Sequence, residues 1–454
     1  MKYQTIQESI KRRIINQELL AGDQVPSIRR LAQQFSVSKT TVIKALAALE
    51  SEHLIYSIPQ KGFFVTENSF EPAKPTQKID FLTAGPDLSF FSFANLAHCY
   101  NQIIANHPKE ILSYGEPTGL LSLRQQVQRY LQTQQVFTSL DRLIITSGAQ
   151  QAVNILLNMP FPNGRENILV EQPTYSGILH AAKLTNRKIL GIDISNDEID
   201  FKRLESIFKN DEIKFFYLMS RFQNPLGHSY SKKEKQKLLN LAEKYDVYLV
   251  EDDYLGDIDQ ISKRDPLFSD SPNGRVIYLK SFSKIFLPSL RIAAIVVPEV
   301  LIPAFLEYKS YLDSYTSTLS QATLATFMEN GMFTVHLKNI KQLYAKKMST
   351  LLDVADRYLP NGATINHPQT GFYTSIKLPR GINSTILTQQ LAQKNILVDD
   401  VSRMFLPLQK NISLLRLSIS QVDQSQIETG IKTIGQTISD YDSNINPTFW
   451  SFHM

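Results

Sequence analysis

Short runs of β-branched, leucine and aromatic residues alternate with helical patterns through the middle of the sequence. The stretch 231–245, SKKEKQKLLNLAEKY, separates two such runs and has the charged, amphipathic pattern of a helix. Strands that alternate with helices in this way form a mostly parallel sheet covered by helices. The runs that predict its strands are 143–146, 168–170, 188–190, 215–219, 247–250 and 276–279.

The chain is long enough for more than one domain, since its 454 residues exceed the ~100–200 of an ordinary domain. At 66–78 the sequence reads TENSFEPAKPTQK, a polar segment with two prolines that is typical of a linker. We therefore predict a first domain at 1–66, a linker at 67–79 and an α/β domain at 80–454. A long helical pattern at 333–358 opens a smaller carboxy-terminal α+β subdomain, which begins at about 330.

Charge, hydropathy and cysteine content exclude several classes of protein. No apolar run reaches the ~18 residues that a membrane helix requires, and the first residues, MKYQTIQESIKRR, lack the apolar stretch of a secretory signal. The single cysteine, Cys99, excludes a disulfide framework and a cysteine-rich zinc site, so we expect no metal. Residues 1–67 hold nine Lys and Arg against six Asp and Glu. We expect a cytoplasmic protein without a membrane partner, whose first segment favours a polyanion.

The first segment has the spacing of a helix-turn-helix. Isoleucines recur every four residues in the first helical pattern, and Ser27 and Ser38 are placed to cap two further short helices that a tight turn joins. Two apolar runs, 54–58 and 63–65, follow and predict a two-stranded ribbon.

A helix that reads the major groove places small polar and basic side chains in its first turn. The third predicted helix does so, and the start of the second helix offers groups for phosphate oxygens. A lysine in the ribbon turn would reach the neighbouring backbone. A small helical cap or a protein-docking module is the alternative that these patterns leave open. The predicted DNA-binding residues are Ser27, Arg29, Ser38, Lys39, Thr40, Thr41, Lys44 and Lys61.

Five short polar clusters lie far apart in the α/β domain and would matter only if the fold brings them together. Small residues at a helix start let backbone N–H groups bind a phosphate, and acids at the carboxyl end of a parallel strand face the ligand crevice. Each cluster alone has an ordinary alternative, such as a turn, a core tyrosine, a helix cap or a solvated lysine. The clusters are SGAQQ at 147–151, EQPTYSG at 171–177, NPLG at 224–227, EDDY at 251–254 and SFSK at 281–284.

The last cluster presents a candidate reactive lysine. An amine that condenses with an aldehyde must be partly unprotonated, so a desolvated lysine near cationic groups is suitable. Lys284 follows the paired serines Ser281 and Ser283, and Arg291 comes seven residues later. Lys280 is the rival candidate, but it precedes both serines.

Both parts of the chain resemble known families. The run GDQVPSIRRLAQQFSVSKTTVIKALAALESEHLI, with GFFV after it, resembles the winged-helix domain of GntR-type bacterial repressors over residues 1–66. The five clusters, together with YGEPTGL at 114–120 and LRLS at 415–418, resemble fold type I pyridoxal phosphate enzymes of the aminotransferase class I/II family over about residues 80–454. The fusion resembles the MocR/GabR subgroup of GntR regulators. The resemblance implies a multidomain protein, with a winged helix-turn-helix head and an α/β aminotransferase-like domain.

The aminotransferase resemblance implies roles around a cofactor ring. Lys284 would form the internal aldimine with pyridoxal 5'-phosphate, and Asp252 would pair with the pyridinium nitrogen. Tyr254 and Asn224 would bond the ring oxygen, and Tyr175 would stack on the ring face.

The same resemblance implies residues for the cofactor phosphate and for a substrate or effector. Tyr114 would reach the phosphate of a partner subunit, which implies a homodimer. Arg416 stands where the family's arginine binds a substrate α-carboxylate, a bidentate task that suits a guanidinium. Within one chain, the phosphate would be held by Ala149, Gln150, Ser281 and Arg291.

Four departures refine the resemblance. Catalytic relatives usually place the ring-oxygen tyrosine three residues after the aspartate, whereas Asp252 and Tyr254 are two apart, as in the regulators. Asn224 keeps an aminotransferase-like turn that the subgroup often lacks. The regulator that senses γ-aminobutyrate carries an arginine where Ser176 and its neighbour stand, so we do not expect that effector. The ribbon turn at 59–62 has one glycine where the family often has two.

The resemblance implies a bacterial transcription regulator that binds double-stranded operator DNA and senses a small amine, an amino acid or pyridoxal phosphate itself. The alternative is an active aminotransferase with an accessory DNA-binding head, which Asn224 and Arg416 favour. A third possibility is a DNA-binding protein whose aminotransferase-like shell holds no cofactor.

Overall fold

The computed structural model of the chain forms two compact units, Met1–Gln77 and Lys78–Met454, each described here by itself. Residues 67–77 of the predicted 67–79 linker and the wing residues Pro59 and Gln60 lie outside the described residues. The structure describes residues 2–15, 18–20, 22–52, 54–58, 61–66, 78–87, 91–106, 113–195, 198–261, 264–271, 274–368, 370–406 and 413–445.

The first unit is a small helical bundle with a two-stranded antiparallel ribbon. Its elements are α1 (Lys2–Ile15), α2 (Ile28–Gln34), α3 (Lys39–Ser51), β1 (Ile55–Ile58) and β2 (Gly62–Val65). Helices α1 and α2 both pack on α3, and the isoleucines of α1 contribute to the core because their four-residue spacing puts them on one face. The Oγ atoms of Ser27 and Ser38 accept backbone N–H groups of α2 and α3, so both predicted helix caps are confirmed.

The second unit is built on an eight-stranded sheet whose order is β4-β11-β10-β9-β8-β5-β6-β7. Strands β5, β6, β8, β9 and β10 run parallel to their neighbours in this group, whereas β11 lies antiparallel between β4 and β10. The predicted parallel α/β sheet is confirmed, but the sequence analysis did not predict β11. The strands are β4 (Leu143–Thr146), β5 (Asn167–Gln172), β6 (Ile189–Ser195), β7 (Glu198–Ile199), β8 (Ile213–Leu218), β9 (Tyr248–Asp252), β10 (Val276–Ser281) and β11 (Ala293–Val296).

Several strands extend beyond their apolar runs. Strand β9 continues through Glu251 to Asp252, and β10 continues through Lys280 to Ser281. Polar residues can end a buried strand because the ladder uses only backbone groups and the side chains find partners on either face. These extensions place polar residues at the carboxyl ends of the two strands, at one edge of the sheet.

Helices surround the sheet, and none in the described part of the chain could cross a membrane. The charged segment 231–245 forms a helix whose start carries a capping box of Ser231 and Glu234. The helices of this unit are α4 (Phe93–Asn106), α5 (Leu121–Thr133), α6 (Ala149–Asn158), α7 (Ser176–Leu184), α8 (Phe201–Asn210), α9 (Lys232–Lys244), α10 (Ile302–Asp313), α11 (Thr318–Glu329), α12 (Met332–Tyr358), α13 (Ser384–Gln393) and α14 (Gln424–Ile445).

A smaller layer combines residues from both ends of the unit. Its strands are β3 (Ile79–Asp80), β12 (Thr364–Ile365), β13 (Tyr373–Lys377), β14 (Ile396–Leu397) and β15 (Leu414–Ser418). Strands β12, β13 and β15 form an antiparallel sheet, and β3 pairs in parallel with β14. Ile79, which the sequence analysis placed at the end of the linker, is therefore the first residue of a strand. An isolated antiparallel β-bridge pairs the backbone of Asp399 with that of Arg416 in β15.

Candidate cofactor site and DNA-binding surface

A cavity of about 260 Å³ lies beside the carboxyl ends of the central strands. Strands β9 and β10 run in parallel with Leu279 opposite Asp252, so both deliver their last residues to the same edge of the sheet. The fold thereby brings together residues that are far apart in sequence. Eight of the predicted residues line the cavity: Ala149, Tyr175, Asn224, Asp252, Tyr254, Ser281, Lys284 and Arg416.

Asp252 presents a buried carboxyl group to the cavity. Its Oδ2 accepts a hydrogen bond from the hydroxyl of Tyr217, and burial raises its pKa to about 6. Its Oδ1 is buried and has no hydrogen-bond partner among the described residues. A buried acceptor without a donor is costly, so this oxygen suits a ligand that donates a proton to it.

The two acids beside Asp252 serve the fold instead. Glu251 accepts the backbone N–H groups of Leu267 and Phe268, and Asp253 forms a buried ion pair with Arg221. Side chains alternate between the faces of a strand, so neither neighbour shares the direction of Asp252. Of the three consecutive acids at 251–253, only Asp252 therefore faces the cavity.

Lys284 lies in the turn after β10 and lines the cavity. Its ammonium group donates to the backbone carbonyl of Ala84. Burial, and then the nearby charge of Arg416, lower the pKa of Lys284 to about 8. A lysine in this state has a sizeable neutral fraction near neutral pH, as a nucleophilic amine requires.

Lys280 points away from the cavity. Its ammonium forms a buried ion pair with Asp257 and donates to the carbonyl of Asp253 at 3.1 Å. The next residue, Ser281, lines the cavity, and alternation along β10 puts Lys280 on the opposite side. The geometry therefore favours Lys284 over Lys280 as the reactive amine.

The turn before α6 is shaped to accept an anion. Gly148 has φ +85°, and a Cβ there would lie 2.6 Å from Nη2 of Arg291, so glycine is what lets the guanidinium rest against the turn. The backbone N–H groups that open α6 at Ala149 add the positive end of the helix dipole. Arg291 itself does not line the cavity, but its guanidinium lies against the turn at Gly148 and adds positive charge there.

Tyr175 forms one wall of the cavity immediately before α7 begins. Its hydroxyl accepts a hydrogen bond of 3.0 Å from the side chain of Gln150, which also lies outside the cavity lining. A Cβ at Gly177 would lie 2.3 Å from the Tyr175 ring. The YSG sequence therefore places the ring against a residue without a side chain, and the ring orientation follows from that contact.

The two residues predicted for the ring oxygen already have partners in the chain. The hydroxyl of Tyr254 donates to the backbone carbonyl of Phe222 at 2.5 Å, and Oδ1 of Asn224 accepts from Nη1 of Arg416 at 3.1 Å. The Asn224 amide therefore keeps its NH₂ group for the cavity, whereas the Tyr254 hydroxyl must rotate to donate to a ligand.

Arg416 is buried and held on several sides. Its Nη2 lies 2.7 Å from Oδ2 of Asp399, and its guanidinium stacks on the ring of Tyr373 with a centroid distance of 4.6 Å. Its Nε is buried without a hydrogen-bond partner among the described residues. The predicted carboxylate-binding residue thus has an acidic partner within its own chain.

The sequence analysis missed several residues that line or support the cavity. Tyr217, the one hydroxyl-bearing residue of a strand that is apolar apart from Lys214, was the one with a signal in the sequence. Asp399 and Arg403 lie in an irregular segment whose pattern gave none. The cavity-lining residues that were missed are Leu82, Ala84, Ser176, Met219, Tyr373, Arg403 and Met404.

Tyr114 does not reach this cavity. Its side chain is 89 % exposed and packs edge-on against the ring of Tyr315. The role implied for Tyr114, at the phosphate of a partner subunit, stays a prediction.

The first turn of α3 carries the candidate DNA-reading side chains. Lys39 and Thr40 are exposed, and Oγ1 of Thr41 lies 2.9 Å from the capping Oγ of Ser38. The Ser27 cap likewise holds α2, with Arg29 exposed in the following turn. Both serines therefore stabilise the starts of their helices as N-caps, independently of any contact with DNA.

Two basic side chains flank this turn. The ammonium of Lys44, one turn further along α3, lies 4.8 Å from the ring centroid of Tyr3 on α1. Lys61 is exposed in the ribbon turn, where Gln24 donates to its backbone carbonyl at 2.6 Å. Both positions place positive charge on the surface, as phosphate binding requires.

The chain is similar to members of two known families and to solved aminotransferase structures. Residues 87–434 match the family described as aminotransferase class I and II, and residues 2–65 match the bacterial regulatory proteins of the gntR family. An uncharacterized HTH-type transcriptional regulator of Bacillus subtilis, YcxD, is 38 % identical over 95 % of this chain and 99 % of its own. The probable rhizopine catabolism regulatory protein MocR of Rhizobium meliloti is 25 % identical over 95 % and 92 %. The crystal structure of Pyrococcus horikoshii kynurenine aminotransferase superposes with a TM-score of 0.75 at 24 % identity, covering 81 % of this chain and 92 % of that one.

A winged helix-turn-helix and an aminotransferase fold in one chain define a class of transcription regulators with an aminotransferase-like domain. The chain belongs to the aminotransferase class I and II family and, with its gntR-family head, to the MocR-type subgroup of GntR regulators.

The family implies pyridoxal phosphate as cofactor, and the site fits it. The free oxygen of Asp252 suits a protonated ring nitrogen, Lys284 offers an amine with a lowered pKa, and the Gly148 turn backed by Arg291 suits a phosphate. When bound, the cofactor supplies an aldehyde that reacts with amines and a ring that withdraws electrons. The residues of the chain would orient the ring, hold its phosphate and keep the lysine poorly solvated.

Proposed function

We propose that this regulator binds operator DNA through α3 and senses a small amine, an amino acid or pyridoxal phosphate through the cavity at Lys284. The observation that carries the proposal is the lysine itself, a partly buried amine with a pKa of about 8 in a chain whose head exposes a polar helix turn. A solvated lysine, with a pKa near 10.4, would be a poor sensor for an aldehyde.

The working form that we propose is a cytoplasmic homodimer. The exposed ring of Tyr114 would then reach the cofactor phosphate of its partner, as the family resemblance implies. A two-fold dimer carries two heads, so the operator would contain two half-sites related by the same symmetry.

Sensing requires that the effector bind one arrangement of the dimer more tightly than another. An effector that carries an amine and a carboxylate would change the charge and contacts of Asp252, Arg416 and Lys284 together on entering the cavity. Such a change can shift the dimer between arrangements, with a coupling of about 5- to 150-fold in operator affinity.

The test uses the purified full-length chain and genomic fragments selected by binding. We expect a visible absorption band after addition of pyridoxal phosphate, a footprint with two half-sites, and operator affinity that changes with the cofactor or with an amino acid. A colourless protein that does not bind pyridoxal phosphate would contradict the cofactor role. DNA binding that is identical with and without every ligand would contradict sensing.

The aminotransferase alternative has one observation in its favour, the hydrogen bond from Arg416 to Asn224, which prepares a carboxylate-binding guanidinium. Multiple-turnover transamination with a 2-oxo acid acceptor, unchanged in a variant that no longer binds DNA, would support it.

A further inference from the structure

Arg403 lines the cofactor cavity and has no role in the function proposed above. It belongs to the short helical turn Ser402–Met404, and its side chain is 59 % exposed. Its Nη2 donates to Oδ2 of Asp399 at 2.7 Å. Arg416 contacts the same oxygen at the same distance, so two guanidinium groups lie side by side around one carboxylate.

Asp399 is a fixed part of this cluster. It is buried, its backbone pairs with that of Arg416, and its Oδ1 accepts the N–H of Val401 at 3.1 Å. It therefore cannot swing away to leave Arg416 free. Because Asp399 offsets the charge of Arg416, the surplus positive charge of the cluster corresponds to Arg403.

The surplus charge faces open space. Arg403, Tyr175 and Ser176 also line an outer cavity of about 850 Å³ that adjoins the cofactor cavity. The described residues that line the outer cavity include the cations Lys183 and Arg187 but no aspartate or glutamate, and Arg187 pairs with Glu166 outside the lining at 3.4 Å. An anionic group that enters from this side therefore meets positive charge, with Arg403 at the border of the two cavities.

We propose that Arg403 adds a second guanidinium for the effector's carboxylate, beside the one that the family resemblance implies for Arg416, and so selects amines that carry a carboxylate. Arg416 is buried, whereas Arg403 is largely exposed and supplies the net charge. The effector's side chain extends into the outer cavity, whose remaining wall is largely apolar, with Leu179, Phe405 and Leu406. This inference rests on the proposed amine sensing at Lys284 and names the residue that selects among amines.

The test compares Arg403→Gln with the native protein, both loaded with pyridoxal phosphate. The probes are the twenty common amino acids and, for each that shifts the cofactor absorption band, the matching amine without the α-carboxylate. We expect Arg403→Gln to weaken amino-acid binding about 10- to 100-fold, the loss typical for a hydrogen bond to a charged group, and to change binding of the matching amine less than about twofold. In the same variant, the amino-acid concentration at which operator affinity changes half-maximally should also rise about 10- to 100-fold.

Two further variants separate a specific contact from general electrostatics. Arg403→Lys keeps the charge without the planar fork, so we expect an intermediate loss. Lys183→Gln removes an exposed charge from the outer wall and should leave the ratio of amino-acid to amine affinity unchanged. An equal effect of Lys183→Gln would overturn the proposal, as would an Arg403→Gln variant that binds amino acids as tightly as the native protein.

Failure of the proposed function has a different signature. A native protein without a cofactor band would refute the cofactor role before any effector is added. A band that amines shift as readily as their parent amino acids would refute the carboxylate selection by Arg403 and leave amine sensing intact.

Discussion

The DNA-binding surface and the cofactor cavity place their polar side chains in opposite environments. On α3, Lys39 and Thr40 project into solvent, whereas Asp252 and Arg416 are buried and hydrogen-bonded to other side chains. A surface that reads an external polymer needs exposed groups, because the phosphates and bases supply the partners. A buried charge needs partners in its own chain, because an unpaired one is costly.

Substitutions in the two regions should therefore act on different properties of the protein. The surface comes from consecutive residues of one short helix, so a change there should weaken DNA binding alone. The cavity is lined by six or more segments that are distant in sequence and share hydrogen bonds. A substitution there should therefore alter cofactor binding, the free energy of unfolding or both.

Lys284→Ala should abolish the borohydride-reducible adduct with pyridoxal phosphate, because it removes the amine to which the cofactor would be attached. Mass spectrometry of the reduced protein measures the adduct, and circular dichroism checks that the variant folds. A label at Lys280 in this variant would show that the assignment of the reactive lysine is wrong.

Lys280→Met should destabilise the second unit by about 3–5 kcal/mol, because it leaves the buried carboxylate of Asp257 without its ion-pair partner. Urea unfolding of the cofactor-free protein measures this loss. Pairing the change with Asp257→Leu should restore much of the stability, since no unpaired charge then remains. A stable Lys280→Met variant without the reducible adduct would reverse the roles of the two lysines.

The attachment of pyridoxal phosphate to the cofactor-free protein should accelerate with pH up to about 8 and level off above it. Only the neutral amine reacts, and its fraction for a pKa of about 8 rises roughly 50-fold between pH 6 and pH 8. Stopped-flow absorbance measures the rate, and N-acetyl-lysine provides the solvated comparison. A rate that keeps rising past pH 9 would mean that Lys284 is not desolvated.

Thr40→Ala should weaken binding to the operator by about 0.5–1.5 kcal/mol at one base position, since it removes a single hydroxyl contact, and should leave the cofactor spectrum unchanged. Thr40 suits this test better than Thr41, whose hydroxyl lies at the Ser38 cap. Lys61→Ala is the matched control, because loss of a phosphate contact should weaken all sequences alike and lower the salt slope by about 1. Competition binding at several salt concentrations measures both. A changed cofactor spectrum in Thr40→Ala would break the separation between the two regions.

Much of the fold and part of the candidate site could be predicted from the sequence. The serine caps and the choice of Lys284 depend on local spacing. The convergence of the polar clusters follows from the rule that parallel strands end at one edge of the sheet. Strand β11 escaped prediction because it is only four residues long and begins with two alanines, which have a low β propensity. Asp399 and Arg403 escaped because no periodicity marks the segment that carries them.

The apolar runs, caps and polar clusters of the sequence suffice to predict two domains, a parallel sheet and a candidate reactive lysine after one strand, since these follow from short-range spacing and backbone geometry. The resemblance implies Asp252 as the acid at the cofactor, but only the three-dimensional structure shows the contacts that Glu251 and Asp253 make within the fold. It alone also shows that Asp399 offsets Arg416 beside Arg403. These outcomes depend on which side chains from distant segments meet in a buried space, and short-range patterns carry no information about that meeting.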